Sequence, residues 1–89
     1  MSIAMVFEGK GVTQTQYDQA RAEVSPDNKR PEGMLFHAGG PTADGWCVVE
    51  VWETPEQANR FFEEKLAKAM KRANITIEPK RFDVHNIMK

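Results

Sequence analysis

The chain has 89 residues, 28% of them charged, and a formal net charge of −1. That length predicts one domain over residues 1–89, and an isoelectric point near 6.1 gives no basic footprint for nucleic acid. A chain this short buries only about 60–65% of its unfolded surface. Its single cysteine rules out an internal disulfide, so a second copy is the expected extra source of stability.

In chain order, Ser2–Phe7 reads as a first strand. With no basic leader before it and no apolar run of membrane-spanning length, the chain is expected to be cytoplasmic, with no membrane partner. Gly9-Lys10-Gly11 is a turn, and the third glycine of a dinucleotide fingerprint is missing. Thr13 caps a helix over Gln14–Val24, with Gln16 placed to complete a capping box. Tyr17, Ala20 and Val24 form its buried stripe. Ser25–Gly33 is rich in turn formers and charge and is an exposed connection.

Met34–Ala38 is the second strand, Gly39–Gly45 the hairpin loop and Trp46–Glu53 the third strand. Cys47 lies inside an apolar run, where a free cysteine behaves as a small hydrophobe. Thr54-Pro55-Glu56-Gln57 starts a second helix: Thr54 caps, Pro55 fits the first helical position and Gln57 can close a capping box. This helix is expected to run to Ala73, burying Ala58, Phe61, Phe62, Leu66, Ala69, Met70 and Ala73. The cations near its C-terminal end suit the helix dipole and a solvated face. Arg81–Met88 alternates as a last strand. The order βαββαβ predicts an α+β, ferredoxin-like fold, a four-stranded antiparallel sheet with two helices on one face.

Alternation divides the later strands into two sets of side chains. Met34, Phe36, Ala38, Cys47, Val49, Val51, Phe82 and Val84 are nearly all apolar and are expected beneath the helices. Leu35, His37, Trp46, Val48, Glu50, Trp52, Asp83, His85 and Ile87 form a mixed face. Left uncovered, that mixed face would expose more apolar surface than a monomer normally shows. A twofold homodimer with sheets face to face is the simplest cover.

The stretch from Leu35 to Leu66, followed by Phe82 to Asn86, resembles small proteins of the dimeric α/β-barrel superfamily, in the antibiotic-biosynthesis-monooxygenase-like branch. The similarity spans essentially the whole chain. It is sharpest at Phe36, His37, Gly40 and Pro41, at Gly45 to Glu53, and at Val84-His85-Asn86. The resemblance implies a cavity between each sheet and its helices or within the barrel, and a range of members from cofactor-independent oxygenases, polyketide cyclases, isomerases and haem-handling enzymes to many proteins of unknown role. Haem-degrading members pair a helix histidine with a first-strand asparagine, and neither stands in Gln14–Val24, Pro55–Ala73 or Ser2–Phe7.

His37 and His85 are the only histidines, and alternation puts both on the mixed face. The imidazole side chain exchanges protons near neutral pH, which makes the pair acid–base candidates. Glu50 or Asp83 can orient an imidazole. Trp46 and Trp52 offer flat walls for an aromatic ligand, Leu35 borders the same face, and the Tyr17 hydroxyl can reach a cavity mouth. This set suits proton abstraction from an acidic aromatic substrate, followed by cyclisation, isomerisation or attack on dioxygen, with no bound cofactor. Each residue also has a structural reading: hydrogen-bonded interface histidines, tryptophans in a dimer core, and a buried carboxylate paired with His37 or Arg81. His37, His85 and a carboxylate would make a two-histidine metal set, but their spacing does not enforce it and no metal is expected. The rival to an enzyme is a non-catalytic small-molecule-binding or structural dimer.

Overall fold

A computed structural model describes residues 1–88. Strand β1 (Ile3–Lys10) leads to helix α1 (Gln14–Val24), then β2 (Met34–Thr42) and β3 (Gly45–Trp52). A second helical stretch follows as α2 (Pro55–Phe61), a π-helical segment (Phe62–Leu66) and α3 (Ala67–Arg72), before β4 (Lys80–Asp83). The four strands form one antiparallel sheet in the order β2-β3-β1-β4, with the helices on one face. This is the ferredoxin-like α+β arrangement predicted from the element order.

Local chemistry fixes the helix starts. The Thr13 hydroxyl accepts from Gln16 N at 3.2 Å, and Gln16 Oε1 accepts from Thr13 N at 2.9 Å, closing the capping box. Gln16 Nε2 also donates to the Ala73 carbonyl at 3.0 Å, so the capping residue ties α1 to the end of α3. Thr54 caps α2 through Gln57 N at 3.2 Å. Here the box stays half-closed, because Gln57 Oε1 takes the Thr54 hydroxyl rather than its backbone N–H.

Four expectations need correction. The hairpin is tighter than Gly39–Gly45: Gly39, Gly40 and Pro41 pair with Val48, Cys47 and Trp46, leaving only Ala43 and Asp44 between the strands. Pro41 is tolerated because β2 is an edge strand. The second helix is not one regular α-helix, since its middle turn widens into a π segment. The last strand stops at Asp83 rather than reaching Met88, and Val84 N–H closes it with a bond to the Ser2 carbonyl.

The fourth correction concerns the faces. On β2 and β3 the mixed residues His37, Trp46, Val48, Glu50 and Trp52 lie beneath the helices, and the apolar set, Met34 excepted, is the uncovered one. Ile3, Met5 and Phe7 stand opposite Trp52, Glu50 and Val48 in the β1–β3 ladder, and cross-strand partners share a face. Those large β1 side chains are buried against the helices together with Ala58, Phe61 and Met70. On the other side, Phe36 is 51% and Phe82 57% exposed. A β-bulge between Met34 and Phe36 moves Met34 into the core, away from the face that Phe36 takes.

Candidate functional site

Helix α1 crosses the sheet so that the Tyr17 ring lies against β2. A Cβ on Gly39 would meet that ring at 3.0 Å, so a glycine here permits the close approach. The Tyr17 hydroxyl is 2.7 Å from His37 Nε2 on β2. His37 Nδ1 is 3.1 Å from Oε2 of Glu50, its ladder partner on β3. Trp52 Nε1 donates to Glu50 Oε1 at 3.0 Å. The four side chains form one chain of hydrogen bonds, Tyr17–His37–Glu50–Trp52.

The chain has a direction. Glu50 is 3% exposed and accepts at both oxygens, which offsets the cost of burying a carboxylate. A carboxylate has no hydrogen to give, so His37 Nδ1 carries a proton, and in the neutral imidazole Nε2 then presents its lone pair. Tyr17 therefore donates to His37, and the remaining lone pairs of its oxygen are free to accept. Burial pushes the Tyr17 pKa above its ordinary 10.0, with Asp18 and Glu50 adding to the rise and Arg21 opposing it. The phenol is neutral at physiological pH.

These groups border a cavity of about 270 Å³ between the sheet and its helices. Tyr17, His37 and Glu50 make one polar wall; Phe7, Val48, Phe61, Leu66 and Met70 are among the apolar ones. Trp46 lines it as well and stacks on Tyr17 with ring centroids 5.2 Å apart. Among the described residues, the buried Trp46 Nε1 has no hydrogen-bond partner.

The sequence-derived candidates divide accordingly. Tyr17, His37, Glu50 and Trp46 come together at the cavity. Trp52 is fully buried behind it and serves Glu50 rather than a ligand surface. His85 is exposed beyond the end of β4, so the cavity holds one imidazole and not two. Asp83 is exposed at the end of β4, and Leu35 sits at the bulge with its carbonyl bound to Arg30, both outside the cavity. With His85 elsewhere, the two-histidine-one-carboxylate set is not assembled, and among the described residues no three His, Cys, Asp or Glu side chains converge. Arg21 lines the cavity one helical turn after Tyr17 and was not among the candidates. Its i+4 position within the Tyr17–Val24 stripe was the available signal.

No family model matches the sequence, and no curated protein matches it. Solved structures do share its fold. A candidate antibiotic biosynthesis monooxygenase from Chloroflexus aurantiacus J-10-fl superposes with a TM-score of 0.70 at 15% identity, over 100% of this chain and 98% of the other. One from Deinococcus radiodurans gives 0.68 at 12% identity, over 100% and 97%. SnoaB, a cofactor-independent oxygenase from Streptomyces nogalater, gives 0.65 at 13% identity, over 98% and 94%. The resemblance drawn from the sequence therefore holds at the level of the fold, which is that of the antibiotic-biosynthesis-monooxygenase-like proteins.

Proposed function

We propose that this protein is a small cytoplasmic homodimeric enzyme that removes a proton from a hydrophobic aromatic molecule without a bound cofactor, as a monooxygenase-like, cyclase-like or isomerase-like catalyst. The observation that carries this reading is the directed chain Tyr17–His37–Glu50 opening onto an otherwise apolar cavity. A substrate O–H or activated C–H gives its proton to the Tyr17 oxygen as Tyr17 passes its own to His37 Nε2. Glu50 then faces an imidazolium that it stabilises through Nδ1–H. The substrate anion left behind is electron-rich enough to cyclise, to take a proton back at another carbon, or to pass electrons to dioxygen. The orphaned Trp46 N–H is available to an acceptor on the ligand.

The homodimer rests on the uncovered sheet face, where Val6, Phe36, Ala38, Val49, Val51 and Phe82 lie together. So large an apolar surface calls for a partner, and a second copy related by a twofold axis covers it with itself. Among the described residues no helix is long and apolar enough to cross a membrane, and the lone cysteine suits a reducing compartment.

The test is hydrogen–deuterium exchange at the benzylic α-carbon of 2-tetralone in D2O, followed by NMR, with oxygen uptake recorded in parallel. The protein is expected to accelerate exchange over buffer, and His37→Ala to lose about 100-fold of that acceleration. Thermal stabilisation by 2-tetralone with no exchange above buffer would replace the enzyme by a binding protein.

A further inference from the structure

The charge around the cavity runs against that of the chain. The whole protein is net negative, yet the cavity is bordered by Arg21, Lys29 and Arg30, with Glu50 as its sole carboxylate among the described residues. Glu50 is already engaged by two donors. Lys29 is exposed and lies 4.0 Å from Asp27, and Arg30 donates to the Leu35 carbonyl, so neither cation is held as deeply as Arg21.

Arg21 is half-buried on the cavity face of α1. One of its terminal nitrogens, Nη1, donates to the Ser25 carbonyl at 3.0 Å and to Asn28 Oδ1 at 3.4 Å. Both acceptors are neutral. Among the described residues no carboxylate pairs with it, and its Nε and Nη2 have no partner. Asp18, three residues before Arg21 on α1, forms no ion pair with it, and Glu23 is taken by Arg72. A guanidinium that faces an apolar cavity with half its fork unused is matched in shape and charge to a carboxylate.

We infer that the cavity takes a ring-bearing carboxylic acid, its carboxylate held by Arg21 and its acidic O–H or C–H presented to Tyr17. This deepens the proton-abstraction reading and rests on it. Tyr17 and Arg21 stand four residues apart on one helix, about 6 Å along the axis. Both side chains therefore border the same cavity one helical turn apart. The anchor also keeps the substrate's fixed charge away from the buried Glu50, so that the anion formed at Tyr17 develops beside an imidazolium.

The test compares 4-hydroxy-2-naphthoic acid with its methyl ester by isothermal titration calorimetry. The wild-type protein is expected to bind the acid at least about tenfold more tightly, as a charge-assisted pair provides. Arg21→Gln should remove that preference, Arg21→Lys should keep part of it, and added salt should shrink it in the wild type. If Arg21→Gln fails to fold, the salt dependence and the Arg21→Lys variant decide the matter. Equal affinity for acid and ester overturns the carboxylate anchor and leaves the proton-abstraction reading standing. An acid preference that survives in Arg21→Gln overturns the role of Arg21. Binding of neither compound overturns both the anchor and the cavity as a ligand site.

Discussion

At the scale of single residues, the site turns on what Glu50 accepts. Its two oxygens take hydrogen bonds from His37 and Trp52, both of which are donors. Glutamine at this position has one acceptor oxygen and one donor amide, so one of the two rings would face an N–H2 instead of an oxygen. Glu50→Gln is therefore expected to lower stability by about 1–3 kcal/mol in urea unfolding; a change within about 0.5 kcal/mol would mean that these bonds contribute nothing. Tyr17 is the only tyrosine, so its ionisation can be followed without interference by phenolate absorbance. Because burial raises its pKa above 10.0, the folded protein holds the phenolic proton more tightly than the unfolded chain does. The sign follows from linkage: this contribution is complete below pH 10.0 and is lost as pH rises through the higher folded value. Tyr17→Phe should remove that alkaline loss of stability, and a wild-type phenol titrating at or below 10.0 would contradict the buried environment. His37 and Glu50 could be paired from the sequence because alternation put them on one face. His85 was placed there wrongly, since alternation holds only while the strand lasts, and β4 ends at Asp83.

At the scale of elements, period two separates the side chains of a strand into two sets but does not say which set meets the helices. The sets for β2 and β3 were legible almost residue by residue. Their assignment was reversed because one set looked more apolar. The deciding strand is β1, whose large residues Ile3, Met5 and Phe7 align with Trp52, Glu50 and Val48, while Ala4, Val6 and Glu8 align with Val51, Val49 and Cys47. That register is a tertiary fact, unavailable from β3 alone. Side-chain volume and satisfied polarity outweighed the greater share of apolar residues in the other set: Trp52 fills the core, and Glu50 enters it with partners. The bulge at Leu35 and the π segment are local irregularities, invisible to any periodic template. The glycine of β2 that lies under Tyr17 links this geometry to the site. Gly39→Ala would press a methyl group against the Tyr17 ring at 3.0 Å. It is expected to push the phenol off His37 while the sheet survives. The Tyr17 titration should then move toward that of an exposed phenol, with little change in far-ultraviolet circular dichroism. An unchanged titration would show that the ring has room to give.

At the scale of the whole molecule, reversing the faces keeps the argument for a dimer but changes what the dimer is for. Had the mixed face been the one covered by a second copy, the site would have lain between subunits and required both. The cavity instead lies between a sheet and its own helices, and every group in the Tyr17–His37–Glu50–Trp52 chain comes from a single copy. The proposed interface, on the opposite side, then supplies stability and not chemistry. Val49 is the residue to test, because it sits on the central strand β3 with Val6 on one side and Ala38 on the other. Light scattering of the wild-type protein should give twice the 10.1 kDa chain mass at micromolar concentration. Val49→Lys places a charge in the middle of an apolar contact that offers it no partner, and it should give the chain mass itself. The monomeric variant should melt at a lower temperature, since a chain of this size loses a large share of its buried apolar area. Below that temperature it should bind 4-hydroxy-2-naphthoic acid with the affinity of the dimer and titrate Tyr17 at the same pH. A wild-type monomer across the concentration range would sink the sheet-to-sheet dimer, and a folded Val49→Lys monomer that has lost the ligand would return the site to the interface.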